Sequence, residues 1–167
     1  MWLTVTVMPR GTWRCPLSRI GVAMTLSGTE ADVEWFGLGP GEAYRDTGHA
    51  ARVGRYRMTL AAMQTPYVFP QENGNRGAVR RARLNRPDGT GLTVAGAPVF
   101  DLTAKPWSTA ALEAARHTGD LVPDGRIHLN IDSAHHGVGS AACGPVLPPM
   151  HTLAAVPTTL TIGLAAS

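Results

Sequence analysis

The sequence predicts an all-β protein, an antiparallel sandwich with one short helix. Apolar and polar residues alternate with a period of two in several segments, which is typical of half-buried antiparallel strands. The 167 residues include 19 glycines and 13 prolines, and this content disfavours a helical bundle or a coiled coil. Hydrophobic residues make up 44% of the chain. That fraction is enough for a core and argues against a wholly disordered protein.

The predicted strands follow one another along the chain. The clearest alternation lies in residues 3–7, 20–26 and 160–164, where every second residue is a large apolar one. The tripeptide Pro87-Asp88-Gly89 between two apolar runs is typical of a hairpin turn. The remaining predicted strands are Val33–Phe36, Val79–Leu84, Leu92–Ala95, Val99–Leu102 and Ile127–Ile131.

One short helix is predicted between the strands. Ser108 is a favourable N-cap residue, and the segment Thr109–Arg116 after it is rich in alanine. Gly119 is the expected stop, because glycine readily adopts the left-handed conformation that ends many helices. No internal repeat and no low-complexity linker divides the chain, so we interpret residues 1–167 as a single domain.

Charge and cysteine content exclude several classes of protein. The formal net charge is +3, which is a weak basis for nucleic-acid binding. The five arginines within Arg76–Arg86 lack the interleaved aromatic residues that stack on bases, so we interpret them as a solvated or interface face. No apolar run is long enough for a membrane helix, and the N-terminus lacks the features of a signal peptide. Cys15 and Cys143 form neither a disulfide framework nor a metal cluster, and we expect a reducing, cytoplasmic compartment.

Large apolar side chains in predicted loops indicate a partner. Tyr67-Val68-Phe69 and Trp35-Phe36 lie in segments that are unusually rich in such side chains. Loops of this kind normally pack on another body. We therefore expect a partner chain or a further N-terminal portion of the same chain.

Two long irregular strings carry a family resemblance. The first reads VEWFGLGPGEAY over residues 33–44, and the second reads TPYVFPQENGNR over residues 65–76. With Trp107-Ser108-Thr109 and the string IHLNID over residues 127–132, they resemble the C-terminal domain of family 2 β-galactosidases. The order and spacing agree from about Ile20 to Pro148.

The resemblance implies a fold, an activity and a division of labour. The family's C-terminal domain is an antiparallel supersandwich of the galactose mutarotase-like fold, and this chain corresponds to about its second half. The family's catalytic glutamates and its magnesium and sodium ligands lie in a separate barrel domain. The resemblance therefore implies no catalytic residue, metal or cofactor in this chain. The intact enzyme, as a homo-oligomer, would hydrolyse terminal β-D-galactosides such as lactose. This chain would serve as scaffold and pocket wall beside the catalytic barrel domain or large subunit.

The resemblance also implies two substrate-binding residues. The family lines its sugar pocket with a loop after a glycine-rich turn, here Gly137-Val138-Gly139, and many members carry a tryptophan in that loop. The tryptophan position falls on Cys143, which cannot offer a flat apolar face to a sugar ring. We expect Cys143 and His136 to line the pocket, with weaker or differently selective binding. The alternative for Cys143 is a small buried apolar residue.

The glutamates of the two strings are expected to be structural, because buried carboxylates are normally satisfied by nearby donors. Glu72 should lie in a buried turn and bond to backbone N–H groups or to an arginine. Glu42 should hold its loop to Arg52 or Arg55. The other members of this structural motif are Asn73 and Arg76.

Histidines and a further aspartate leave two other functions open. The pair His135-His136 does not predict a metal site, because adjacent residues of a strand point to opposite faces and no third ligand follows at a recognisable spacing. Asp132 is expected to cap the turn after its strand. The alternatives are a non-catalytic galactose- or carbohydrate-binding module and a mutarotase-like aldose epimerase. In the epimerase, Glu72 would act with His128 or His136.

Overall fold

A computed structural model describes residues 1–139 and 144–166 of the chain. Within these residues it contains eight β-strands, one α-helix and several single-turn 3-10 helices. The strands are β1 (Trp2–Val7), β2 (Arg19–Ser27), β3 (Asp32–Gly39), β4 (Arg52–Thr59), β5 (Arg76–Asn85), β6 (Gly91–Lys105), β7 (Arg126–His135) and β8 (Thr158–Ala166). The helix α1 spans Thr109–Ala114. None of the helices described here is long and apolar enough to cross a membrane.

All strand pairings are antiparallel, and β6 organises them. The main strand order is β1-β8-β6-β5-β3-β4, while β7 pairs with β6 and carries β2. The first part of β6, Leu92–Gly96, pairs with β8, and the last part, Asp101–Lys105, pairs with β7. Strand β5 pairs with β6 along both parts. This single long strand therefore joins β8 and β1, at its first part, to β7 and β2, at its last part.

The strands on either side of β6 share one hydrophobic core. Ile127 and Leu129 of β7 pack in the same cluster as Val33 of β3, Leu84 of β5 and Ile162 of β8. All five side chains are fully buried. Apolar burial of this kind is the main favourable contribution to folding, about 25 cal/mol for each Å² removed from water. The predicted all-β class, with its sandwich-like core and one short helix, is confirmed.

The predicted strands are present, with one omission and one fusion. The omitted strand is β4, in which Tyr56 and Met58 are half-buried while Arg55 and Arg57 are exposed. The alternation is short in the sequence because Val53 lies on the exposed side and Gly54 on the inner side. The fusion is β6, which runs without a break through Gly96, where the sequence predicted two strands. A Cβ at Gly96 would lie 2.8 Å from the backbone of Val99, so this close approach of the backbone requires glycine.

The hairpin predicted at Pro87-Asp88-Gly89 joins β5 to β6. The Arg86 amide donates to the Thr90 carbonyl oxygen at 2.9 Å, and the Thr90 amide donates to Asp88 Oδ1 at 2.9 Å. Gly89 has a φ of +83°, which a residue with a Cβ rarely adopts. Turn chemistry that is local in sequence was therefore sufficient to place this connection.

The predicted helix start is correct, and the predicted helix end is wrong. The Ser108 Oγ accepts a hydrogen bond from the Ala111 amide at 3.1 Å, as an N-cap should. The helix ends at Ala114, before Arg116, and Gly119 is not its stop. The Asp120 carboxylate accepts hydrogen bonds from the Arg116 and His117 amides at 3.0 and 2.9 Å. These bonds satisfy the two amides between the helix and the 3-10 turn Thr118–Asp120 that follows it.

Candidate functional site

The two motif-bearing loops, residues 40–47 and 64–75, meet against β6. The Ala43 amide donates to the Asn75 carbonyl oxygen, and the Asn75 side-chain amide returns a bond to the Ala43 carbonyl oxygen, both at 2.8 Å. Gln64 Nε2 donates to the Ala104 carbonyl oxygen of β6 at 2.7 Å. Backbone and side-chain hydrogen bonds thus fix both loops in place without regular secondary structure.

The Glu42 carboxylate joins the first loop to the second. It accepts hydrogen bonds from Tyr67 Oη at 2.7 Å, from Thr65 Oγ1 at 3.0 Å and from the Gly74 amide at 2.9 Å. Burial and this hydrogen bond raise the pKa of Tyr67 to about 12, so its hydroxyl stays a donor at neutral pH. A carboxylate with three donors is satisfied in place.

The expected ion pair between Glu42 and Arg52 or Arg55 is wrong. The Arg52 guanidinium donates to the carbonyl oxygens of His49 and Ala51, at 2.8 and 3.0 Å, within its own segment. Arg55 lies on the exposed face of β4. Hydroxyl and amide donors of the second motif occupy the carboxylate, and no arginine is needed to satisfy it.

The Glu72 carboxylate is the centre of a buried ionic network. Tyr44 Oη donates to Glu72 Oε1 at 2.9 Å, and Lys105 Nζ lies 3.1 Å from Oε2. Arg19 Nη2 lies 3.3 Å from Oε1. Lys105 is 3% exposed, and it is the only lysine of the chain. Glu72 therefore meets an arginine, as the sequence led us to expect, together with a lysine and a tyrosine that were not expected.

Burial and charge oppose each other in this network. Burial alone would raise the pKa of Glu72, but the charges of Lys105 and Arg19 outweigh it, and the pKa is lowered overall. Burial lowers the pKa of Lys105, and Glu72 only partly offsets this. Burial and the neighbouring Glu72 charge raise the pKa of Tyr44. The network holds Glu72 ionised and Tyr44 as a neutral donor.

The two other motif residues, Asn73 and Arg76, bind backbone around this network. The Asn73 Oδ1 accepts from the Thr65 amide at 3.1 Å, and its Nδ2 donates to the Gln71 carbonyl oxygen at 2.9 Å. Arg76 is buried, and its guanidinium lies 5.1 Å from the centre of the Trp35 ring. Its Nη1 donates to the Gly74 carbonyl oxygen at 3.0 Å. These contacts attach the second loop to the start of β5.

Asp132 lies inside β7 and does not cap a turn, so that expectation is wrong. Its strand continues to His135, and Asp132 pairs in register with Asp101 of β6. It is 1% exposed, and its nearest cation is Arg19, with Nε 3.7 Å from Oδ2. Burial raises the pKa of Asp132 to about 7, Arg19 lowers it in part, and Asp101 and Glu72 add to the rise.

The predicted pocket residues lie in different parts of the structure. Cys143 falls outside the described residues. His136 follows β7 directly, and its Nδ1 accepts a hydrogen bond from the Leu153 amide at 2.9 Å. Its own amide donates to the Ser18 carbonyl oxygen at 2.9 Å. Substrate contact by either residue stays a prediction.

Asp46 fastens the turn that precedes the predicted pocket loop. Its Oδ1 accepts from the Val138 amide at 3.1 Å, and its Oδ2 accepts from the Gly139 amide at 2.7 Å. A Cβ on Gly137 would lie 2.9 Å from the Asp46 carboxyl carbon, so a side chain at this position would displace the carboxylate from the turn. Sequence reasoning missed Asp46, because nothing in the spacing links it to a turn 92 positions away.

The histidines have partners other than a metal or Glu72. Among residues 1–139 and 144–166, no group of three or more metal-binding side chains is present. His135 is buried, with its Nδ1 2.6 Å from the His136 carbonyl oxygen. The His128 ring lies 2.9 Å from Asp124 Oδ2. Neither His128 nor His136 forms a hydrogen bond or an ion pair with Glu72 among the described residues, so the epimerase alternative gains no support from a direct contact.

Replacing Glu72 by glutamine should destabilise the chain by about 3 kcal/mol, because the buried Lys105 would keep its charge without an anion and Arg19 would keep only the more distant Asp132. Equilibrium urea unfolding measures this loss. The exposed Glu30→Gln is the matched control and should change stability by less than about 0.5 kcal/mol. Adding Lys105→Met to Glu72→Gln should restore part of the loss. An unchanged stability of the single variant would contradict the network.

The Asp132 carboxyl should make stability fall as pH rises. Its folded-state pKa of about 7 exceeds its unfolded value of about 3.9, so the folded state holds more protons between about pH 4 and pH 7. Relative to wild type, Asp132→Asn should gain up to about 1.4 kcal/mol per pH unit across this window. Urea unfolding at pH 5, 6 and 7 measures the difference. Asp88→Asn, whose pKa is lowered, should run parallel to wild type there. A parallel Asp132→Asn profile would refute the assignment.

Replacing Asp46 by alanine should loosen the turn at Val138 and Gly139. Hydrogen bonds to a carboxylate are about twice as strong as neutral ones, so exchange of these two amides with deuterium should accelerate by about tenfold or more. Asp88→Ala is the control, because Asp88 accepts hydrogen bonds only from Thr90 within its own hairpin. Equal exchange rates in the Asp46 variant and wild type would show that the turn is held by other contacts.

The comparisons with known proteins agree with the two strings. A sequence model of the family described as beta galactosidase small chain matches residues 2–164. The β-galactosidase of Vibrio cholerae serotype O1 is 40% identical over 124 residues, which cover 74% of this chain and 11% of that protein. The β-galactosidase of Pseudoalteromonas haloplanktis is 40% identical over 125 residues, with the same two shares.

A third relative aligns along the whole chain. The β-galactosidase of Arthrobacter sp. strain B7 is 32% identical over 174 residues, covering 100% of this chain and 17% of that protein. The chain thus spans between 11 and 17% of the length of these relatives. The resemblance stated from the two strings is confirmed, and this chain belongs to the beta-galactosidase small-chain family.

Proposed function

We propose that this chain is the non-catalytic wall and scaffold of a β-galactosidase, whose catalytic glutamates lie in a barrel domain or large subunit outside it. The observation that carries the proposal is that the two motif carboxylates already have their hydrogen-bond and ion-pair partners within the chain. Glu42 and Glu72 each have three donors or cations as partners. A glycosidase needs two carboxyl groups that face the scissile bond, and neither of these two is free to do so.

An exposed apolar loop supports the presence of a large partner. Val68 is 90% exposed and Phe69 is 63% exposed, although both follow Tyr67, which Glu42 holds in place. Apolar side chains on a fixed loop gain free energy when a second surface covers them. We propose that the catalytic part of the enzyme is that surface.

The substrate of the intact enzyme is proposed to be a terminal β-D-galactoside such as lactose. The names of the relatives support this class, and the turn 137–139, held by Asp46, leads into the segment proposed to line the sugar pocket with Cys143 and His136. The magnesium and sodium ions belong to the catalytic part in this proposal. The assembled enzyme is proposed to be a cytoplasmic homo-oligomer.

The isolated chain should not hydrolyse a chromogenic galactoside such as o-nitrophenyl β-D-galactoside, because it contributes no free catalytic carboxylate. Co-expression with the remaining portion of its β-galactosidase should give turnover, measured by release of o-nitrophenol. Val68→Asp with Phe69→Asp should lower the activity of the co-expressed pair at least tenfold by weakening association.

Met8→Asp with Val156→Asp is the matched control, since both side chains are exposed and lie outside the motif loops and the predicted pocket loop. Its co-expressed activity should equal that of wild type. Turnover by the isolated chain would refute the division of labour. Galactose binding by the isolated chain in a calorimetric titration, without any gain from co-expression, would favour the carbohydrate-binding module.

A further inference from the structure

The outer face of β3, β4 and β5 carries a cluster of arginines that the proposed function does not use. We call it the arginine face. Its cations are Arg55 and Arg57 of β4 and Arg80, Arg81 and Arg83 of β5, all exposed. The outer faces of β1 and β8 differ, since they carry neutral pairs of threonines in register. The outer face of β3, β4 and β5 is therefore strongly cationic, while that of β1 and β8 is neutral.

The strand register arranges the arginine face in two rows. In the first row, Glu34 of β3 stands between Arg57 and Arg83. Arg57 Nη2 lies 2.6 Å from Asp32 Oδ2, and its Nε lies 3.8 Å from Glu34 Oε1. The first row is thus a carboxylate flanked by two guanidinium groups.

The second row repeats this arrangement with an aromatic ring in place of the carboxylate. Phe36 stands between Arg55 and Arg81, and the Arg80 guanidinium lies 5.3 Å from the centre of its ring. Phe36 is 38% exposed. Neither Arg55 nor Arg80 nor Arg81 forms an ion pair with any described residue. The Arg80 guanidinium thus lies over an exposed ring that two further arginines flank in register, and the row contains no carboxylate.

Protection of a sheet edge does not account for this cluster. Charged residues often guard an edge strand against aggregation, and β4 is an edge strand because it pairs only with β3. Strand β5, however, is paired on both sides, with β3 and β6. Arg81 and Arg83 thus lie in the interior of the sheet, where there is no edge to guard. Arg81 and Arg83 lie about 7 Å apart along one strand, so an acidic partner that covers them would relieve the repulsion between their charges.

We propose that the arginine face docks an acidic polypeptide segment belonging to the portion of the β-galactosidase outside this chain, with a carboxylate bound by Arg55 and Arg81 at the edge of Phe36. The inference rests on the proposed function, because it requires that larger enzyme. Charge complementarity selects an acidic occupant, and an exposed aromatic ring ringed by arginines is the composition of an interface hot spot. The matching region is 11 to 17% of the length of the relatives. The remainder of such an enzyme is long enough to supply the acidic segment.

A protein occupant fits the face better than a nucleic acid. Binding of single strands uses several aromatic side chains on which successive bases stack, and the arginine face offers Phe36 alone. The face also contains Asp32 and Glu34, whose carboxylates would repel a continuous phosphate backbone. Both carboxylates contact Arg57 of the first row. The second row contains no acidic residue among the described positions, so a single carboxylate of a partner can bind there.

The test measures association of the chain with the separately purified remaining portion of its β-galactosidase. The chain is captured on a sensor surface, and the dissociation constant is determined at 50, 150 and 500 mM NaCl. We expect Arg55→Glu with Arg81→Glu to weaken association about 100-fold at 50 mM NaCl. The double variant should also lose most of the salt dependence that wild type displays. Arg10→Glu with Arg14→Glu makes the same change of charge on exposed loop residues and should stay within threefold of wild type.

Three results would overturn the inference. Equal association by the double variant and wild type would remove the arginine face from the interface, while leaving the proposed function intact. Absence of any association by wild type would defeat the proposed function together with this inference. Binding of a 20-base-pair DNA duplex or heparin that the double variant loses, with unchanged association to the enzyme portion, would assign the face to a different polyanion. Equal thermal unfolding curves for both double variants and wild type exclude misfolding as the cause.

Discussion

The contact of Glu72 with Lys105 and Arg19 fixes the positions of the two motif loops, which have no regular secondary structure. Removing such charges from water costs several kcal/mol for each ion, and only close, well-directed partners offset that cost. The network meets this condition with distances of 2.9 to 3.3 Å around one carboxylate. Its members come from β2, β6 and both motif loops, so the loops can occupy only positions in which all partners meet.

Glu42 extends this constraint to the exposed apolar loop. Its bonds to Tyr67, Thr65 and Gly74 close the second motif on itself and leave Val68 and Phe69 pointing outwards. The chain therefore satisfies the carboxylates of its motif loops internally. It exposes apolar surface at Val68 and Phe69 and cationic surface at the arginine face. A domain that binds a larger partner needs both properties, because a surface that is already ordered loses less conformational entropy on binding.

The strands could be predicted from the sequence because their signal is local, and the site could not because its signal is long-range. Alternation with a period of two marked β1, β2 and β8, and Pro87-Asp88-Gly89 marked a hairpin. Strand β4 was missed because Val53 lies on its exposed side and Gly54 on its inner side, which leaves only a short run of alternation. The two strings identified Glu42 and Glu72 as residues of interest, but Lys105 is 33 positions from Glu72, and no spacing rule connects them. The one available hint was a single lysine at the end of an apolar strand.

The burial of Lys105 has a consequence for the chemistry of the surface. Because this is the only lysine and it is buried against Glu72, no lysine amine is presented to solvent. All cationic side chains on the exterior that stay charged above neutral pH are guanidinium groups, which keep their proton at any pH a protein survives. Acylating reagents and lysine-modifying enzymes would thus find no ε-amine to neutralise, and the electrostatic character of the exterior would persist under conditions that erase it from lysine-rich proteins.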